Sequence, residues 1–267
     1  MSTELIDPRL EAIKNKFSKI RQTIMIASGK GGVGKSLLAS TISLILSLEE
    51  AYATGLLDLD LHGPVTPVIF DIEDHVPEES KEGLKPPIVY GVKVMSLGLL
   101  AKKKPIPMSG SGKRDAIREV LAITNWGELD YLVIDLPPGT GDEILETANL
   151  IRNNRGVILV TTPSLLSIDV VSKTIELFDE LDVPIIGIVE NMAYMEVNGN
   201  IIQPYGPPRA RKLAEELGIR YLAMLPLDPE VDVALSKRDP QLLLKTKYAK
   251  GVREDIIPHV KELLIRR

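Results

Sequence analysis

The chain has 267 residues, 44% of them hydrophobic and only 4% aromatic, with a net charge of −5. That length suits one α/β domain, or at most two small ones, with an aliphatic core, and the charge gives no electrostatic case for nucleic acid as a partner. Cysteine is absent, which excludes disulfides, thiol nucleophiles and cysteine-held zinc or iron–sulfur sites within the chain.

In chain order, Leu5, Ile6, Leu10, Ile13, Phe17 and Ile20 recur mainly at three- and four-residue intervals, so a short amphipathic helix is expected after Pro8. Residues 1–20 are read as an N-terminal helical extension and residues 21–267 as the main domain. No basic segment followed by an apolar core opens the chain, and no run of about 18 apolar residues occurs. Neither a signal peptide nor a membrane span is expected, and the chain reads as cytoplasmic.

The apolar run 24–27 predicts a buried strand, and a helix is expected over about 35–50. Between them, residues 29–36 fit G-x-x-x-x-G-K-[ST], the phosphate-binding loop. Its glycines let successive N–H groups turn inward as an anion nest. The following helix presents its positive end to the phosphates. The predicted cradle is Gly29, Lys30, Gly31, Gly32, Val33, Gly34, Lys35, Ser36 and Leu37. Lys35 can bridge the β- and γ-phosphates, and the Ser36 hydroxyl can ligate magnesium. The glycines at 29, 31 and 34 also fit G-x-G-x-x-G, with Asp58 placed like the ribose acid of a dinucleotide fold. That reading leaves Lys30, Lys35, Ser36 and Asp135 without a task.

Residues 55–60 predict a second strand that ends in acids, and His62 begins a turn through Gly63 and Pro64. Residues 65–87, rich in Pro, Glu and Asp, predict a loop, and residues 89–99 a strand. Lys102, Lys103 and Lys104, beside Pro105 and Pro107, predict a solvated basic loop. Strands over 131–135, 156–162, 183–190 and 221–225 alternate with helices over 115–123, 144–151, 168–181 and 209–217. All-apolar strands alternating with helices predict an α/β fold, a parallel sheet covered on both faces.

Asp135 ends an apolar strand, where it is expected to hold magnesium through water opposite Ser36. Asp58 and Asp60 lie two apart and so share one side of a strand. Asp60 is assigned to orient or deprotonate an attacking water, and Asp58 to support magnesium or a lysine. Lys30 has no obvious task within one subunit, but could reach across a two-fold interface to a partner's phosphate. The guanine-reading Asn-Lys-x-Asp is missing. Asn191 is instead expected to read adenine N6 and N7 with its amide, flanked by Pro226 and Asp228, which favours ATP. His62, His75 and His259 are scattered without metal spacing. Val252, Ile256, Val260 and Leu263 share a helical face that Pro258 interrupts, with Arg266 and Arg267 closing the chain. That pattern is read as a core-docked last helix, the alternative being a membrane-binding one.

The stretch 28–36 (Ser-Gly-Lys-Gly-Gly-Val-Gly-Lys-Ser) resembles the deviant Walker A motif of the Mrp/MinD ATPases. Residues 58–64 look like their first switch, and residues 130–143 are similar to the Mrp second switch; residues 189–192 and 226–228 also match. The resemblance spans roughly residues 5–240. It implies an ATP-sandwich homodimer with magnesium, Lys30 acting in trans, and iron–sulfur cluster delivery to a metalloprotein client. The Cys-x-x-Cys pair that holds the cluster in Mrp proteins is missing: residues 195–200 read Met-Glu-Val-Asn-Gly-Asn. A HypB-like maturation ATPase serving nickel insertion resembles the chain as well, and Asp7 to Leu10 and residues 116–126 point that way. A MinD- or ParA-like positioning ATPase, or a scaffold that barely turns ATP over, are further alternatives.

Overall fold

A computed structural model describes residues 7–61, 63–101 and 110–265. Leu5, Ile6, His62, the lysines at 102–104 with Pro105 and Pro107, and Arg266 and Arg267 lie outside the described residues. The elements run α1 (Pro8–Phe17), β1 (Ile20–Ala27), α2 (Lys35–Leu48), β2 (Thr54–Asp58), α3 (Thr66–Ile69), β3 (Glu78–Ser80), β4 (Gly83–Lys85), β5 (Ile88–Val89), β6 (Val92–Ser96) and α4 (Leu97–Ala101). They continue with α5 (Gly110–Ile123), β7 (Leu129–Asp135), α6 (Asp142–Leu150), β8 (Arg155–Thr161), α7 (Leu165–Glu180), β9 (Ile185–Val197), β10 (Asn200–Ile202), α8 (Ala210–Leu217) and β11 (Tyr221–Pro226). The last helices are α9 (Pro229–Ser236), α10 (Pro240–Leu243), α11 (Lys247–Gly251) and α12 (Ile257–Ile265).

The main sheet has the order β10-β9-β8-β1-β7-β2-β6-β5, with β11 also on β9. Pairing is parallel from β6 through β9 to β11 and antiparallel only where β5 and β10 are added. Alternate residues of the central strands feed two cores. Ile24, Ile26, Tyr131, Val133, Ile158 and Val160 pack with α2 and the C-terminal helices. Met25, Ala27, Leu132, Ile134, Val157 and Leu159 pack on the opposite face with α5, α6 and α7. A period of two with both faces apolar leaves the central strands no solvated side, as all-apolar strands require. Chain order reverses around β1: β7 lies on one side of it and β8 on the other. The crevice beyond their C-terminal ends is where an open α/β sheet takes a ligand.

Several local expectations need correction. The predicted loop 65–87 contains α3 and an antiparallel β3–β4 hairpin. The single strand expected over 89–99 is divided by Tyr90 and Gly91, both at positive φ, into the β5–β6 hairpin, and its end winds into α4. Strand β9 does not stop at Glu190 but runs to Val197 and pairs with β10 through a turn at Asn198 and Gly199. Pro258 does not end the last helix. One wide turn over Val252–Ile256 precedes it, and such a π-type turn re-registers the backbone where a proline lacks its N–H. Val252, Ile256 and Val260 are buried in the first core, so the C-terminal face is docked. Arg253 clamps Glu49 at 2.6 Å and Lys261 holds Glu50 at 2.5 Å, tying the same helix to the end of α2.

Candidate nucleotide site

The loop between β1 and α2 turns through Gly32 and Gly34 at φ 76° and 86°, conformations that side chains resist. Gly34 is the N-cap of α2, and a methyl group there would also overlap the Asn191 amide. At Gly31 and Gly32 an added methyl would meet nothing within 4 Å, so these backbone amides border open space. At the loop entrance, the Ser28 hydroxyl donates to Lys30 O at 2.9 Å. A methyl at Gly29 would strike Val170 of α7, so helix and loop pack in direct contact.

Lys35 opens α2 and reaches across to the end of β7, donating to Asp135 Oδ1 at 2.9 Å. The pair is almost wholly enclosed, Lys35 being 6% and Asp135 0% exposed. Burial pushes the Asp135 carboxyl up, and the Lys35 ammonium and Ser36 hydroxyl pull against that rise. Asp135 Oδ2 is buried without a hydrogen-bond partner. An orphaned carboxylate oxygen beside a serine at a helix N-terminus fits a magnesium-held water. Among the described residues no group of three or more His, Asp or Glu could cage a metal by itself.

Asp58 stands opposite Asp135 in register on β2. Its Oδ1 accepts the Asp60 N–H at 2.9 Å and its Oδ2 the Ser96 hydroxyl at 3.1 Å. Burial and, next, the Asp135 charge push its carboxyl up to about 7. The expected lysine contact therefore falls on Asp135 instead of Asp58. Ser96, at the C-terminal end of β6, was invisible to motif reading because only strand pairing brings it to Asp58. Asp60 follows β2 at the same end of the sheet, half-buried.

Lys30 lies along its own subunit, Nζ 3.5 Å from Ser164 Oγ. Ser164 is the N-cap of α7 and joins a hydroxyl chain to Ser167 and Thr162, each step 2.7 Å. Asn191 has a task that local reading does not show. It is 1% exposed, its amide N–H donates to Val33 O at 2.8 Å and its carbonyl accepts the Met192 N–H at 2.9 Å. The amide braces the P-loop through one N–H. Asp228 is likewise engaged, capping α9 through Glu230 N and accepting Tyr248 N at 3.1 Å. With Pro226, Tyr194 and Lys247 it lines a cavity of 190 Å³. Leu37 is half-buried on the first core.

A glycine nest at a helix N-terminus, a buried lysine on a strand-end acid and a second acid beside it, all at the switch point of a parallel sheet, define a P-loop nucleotide-binding protein. The model of the family described as "ParA: NUBPL iron-transfer P-loop NTPase" matches residues 19–261, and the chain belongs to that family. An iron–sulfur cluster carrier protein of Methanocaldococcus jannaschii is 40% identical over 247 residues, 91% of this chain and 85% of its own. A cytosolic Fe-S cluster assembly factor NUBP2 homolog of Dictyostelium discoideum is 39% identical over 231 residues, 81% of this chain and 85% of its own. A nucleotide-binding protein from Archaeoglobus fulgidus, solved in complex with ADP, superposes with a TM-score of 0.74 at 36% identity, covering 87% of this chain and 91% of that one.

Proposed function

We propose that this chain is a magnesium-dependent ATPase acting as a homodimeric switch in metallocentre assembly, with an iron–sulfur cluster as the cargo delivered to a client protein. The observation that carries the reading is the enclosed Lys35–Asp135 pair with its spare oxygen at the mouth of the glycine nest. The relatives that carry and assemble clusters supply the cargo, and the second, a cytosolic factor, supports the cytosol as the working compartment. ATP would draw Lys35 onto its phosphates, while Ser36 and Asp135, supported by Asp58, would hold magnesium, which neutralises phosphate charge. Asp60 would orient the attacking water. Lys30 would leave Ser164 and reach the partner's nucleotide. Closure and hydrolysis would alternate two states of the segments near Asp60 and Asp142, and a client that binds these states differently is released.

Lys35→Ala should abolish ATP binding, whereas Lys30→Ala should keep binding and lose turnover. Normal hydrolysis by Lys30→Ala would refute the trans role. The absence of cysteine favours a second form of the same reading, a maturation ATPase whose metal ligands belong to its partner. Metal and sulfide content after anaerobic purification, with the mass in solution with and without ATP, separates the two. Iron and sulfide near one cluster per dimer support the carrier; nickel or no metal with an ATP-driven dimer supports the maturation factor. The docked C-terminal helix argues against membrane positioning.

A further inference from the structure

A cavity of 590 Å³ opens at the end of the sheet remote from the P-loop. Lys93, on its wall, pairs with Gly55 near the start of β2 and β6, whereas Ser96 and Asp58 pair at their far ends. One side of the cavity is the β3–β4 hairpin with Pro86 and Pro87, and the other is Lys93 with the turn at Asn125, Trp126 and Gly127. The hairpin is fastened to the body. Asn125 N donates to Leu84 O at 2.8 Å, the Asn125 amide to Glu82 Oε2 at 3.0 Å, and Lys16 Nζ to Glu82 O at 3.1 Å and Thr124 O at 3.0 Å. The walls are thus pre-formed, and the volume is that of a small-molecule site.

Lys93 is the unusual group. Its ammonium donates to Trp126 O at 2.5 Å, and among the described residues no carboxylate stands within 4.0 Å of it. An ammonium has three donors, so two are left for a ligand. Burial holds it below the usual lysine range, with no neighbouring charge in opposition. Of the two rim acids, Glu82 accepts the Asn125 amide, and Glu78 stands opposite Lys85 in the hairpin register. The lining sets apolar Pro77, Pro86, Pro87 and Ile88 beside the charged Lys85, Glu78 and Glu82.

We propose that this cavity is a second ligand site, separate from the nucleotide site, for a small organic anion whose charged group sits on Lys93 and whose hydrocarbon body lies against Pro77, Pro86, Pro87 and Ile88. Trp126 is the only tryptophan of the chain, so the site carries its own reporter. The experiment titrates the full chain with the anionic dye 8-anilinonaphthalene-1-sulfonate in excess ADP. It follows energy transfer from Trp126 and then displacement by decanoate. Saturable binding of one dye per chain, displaced by decanoate and indifferent to ADP, is expected. Lys93→Gln should weaken the dye by about ten-fold or more, the scale of one lost charge-assisted hydrogen bond. It should spare the neutral dye N-phenyl-1-naphthylamine, and Lys93→Arg should retain the anion. Ile88 is 66% exposed, so Ile88→Ser, which adds no charge opposite Lys93, tests the apolar wall without endangering the fold and should weaken both dyes. Unsaturable binding, displacement by ADP, equal affinity in Lys93→Gln, or no effect of Ile88→Ser would each overturn the proposal.

Discussion

Replacing Lys35 by methionine should destabilise the nucleotide-free protein as well as disarm it. The substitution keeps the length of the side chain but removes the cation from a carboxylate that is 0% exposed. Stripping one partner from a buried pair costs about 3–5 kcal/mol. A second route gives the same limit. Asp135 would escape by taking a proton, and forcing neutral at pH 7.5 a carboxyl whose ordinary value is 3.8 costs about 5 kcal/mol. For a chain of this size, that lowers Tm by on the order of 10 °C. The protonation route adds a signature that simple loss of packing lacks. At pH 5 the same neutralisation costs below about 2 kcal/mol, so the deficit of Lys35→Met should shrink by more than half. Urea denaturation of wild type, Lys35→Met, Asp135→Asn and the double variant, in EDTA and without nucleotide, measures both effects. The double variant should recover at least about half of the single variant's loss. A deficit that is independent of pH, or a double variant as unstable as the sum of the two singles, would refute the coupling.

Further outcomes follow from the same site. Asn191→Ala removes the donor to Val33 O and leaves that carbonyl enclosed; a loss of about 1–3 kcal/mol and faster amide exchange over residues 29–36 are expected, and unchanged exchange would deny the brace. Gly34→Ala puts a side chain at φ 86° against the Asn191 amide; nucleotide affinity should fall below detection, and the double variant with Asn191→Gly should recover only the part owed to the clash. Asp58 holds its proton to about 7 in the fold, against 3.8 ordinarily. Between those values the native state binds more protons than the unfolded state, so rising pH favours unfolding. The nucleotide-free protein should therefore lose stability from about pH 4 to pH 7, and Asp58→Asn should flatten that slope in denaturant titrations.

Which features were legible in the sequence follows from how local their causes are. The P-loop is contiguous, and its glycines declare the positive φ at Gly32 and Gly34. The central strands announce themselves because both faces are apolar. The brace from Asn191 is not legible locally because its partner, Val33, is 158 residues away; an asparagine after a strand looks alike whether or not it also holds a backbone carbonyl. Ser96 was missed for the same reason. The β3–β4 hairpin hid in a Pro- and Glu-rich stretch because its strands are three residues each, too short for alternation to register. By contrast, α9 and α10 could have been found. Each begins with Asp-Pro, at Asp228 and Asp239, where the acid accepts a backbone N–H and proline takes the first helical turn.

The segment that stands where the Mrp resemblance would place the cluster cysteines bears on the proposed role most directly. Residues 195–200 are the tip of the β9–β10 hairpin, closed by Asn198 and Gly199 at φ 51° and 78°, the pairing a two-residue hairpin turn prefers. A Cys-x-x-Cys grafted there would place its two sulfurs on a strand and in this turn, held by the ladder from Met195 to Ile202. Such a pair adds thiolates without disturbing either core, because Met195 and Asn198 belong to neither and Asn198 is exposed. Installing Met195→Cys with Asn198→Cys therefore tests the proposed function from the other side. If the chain is a carrier's ATPase whose own ligands have been replaced, the variant should bind iron and sulfide anaerobically at about one cluster per dimer and release it faster with ATP. A cluster that binds but ignores ATP would separate the switch from the cargo, and would leave the maturation reading as the better account of this chain.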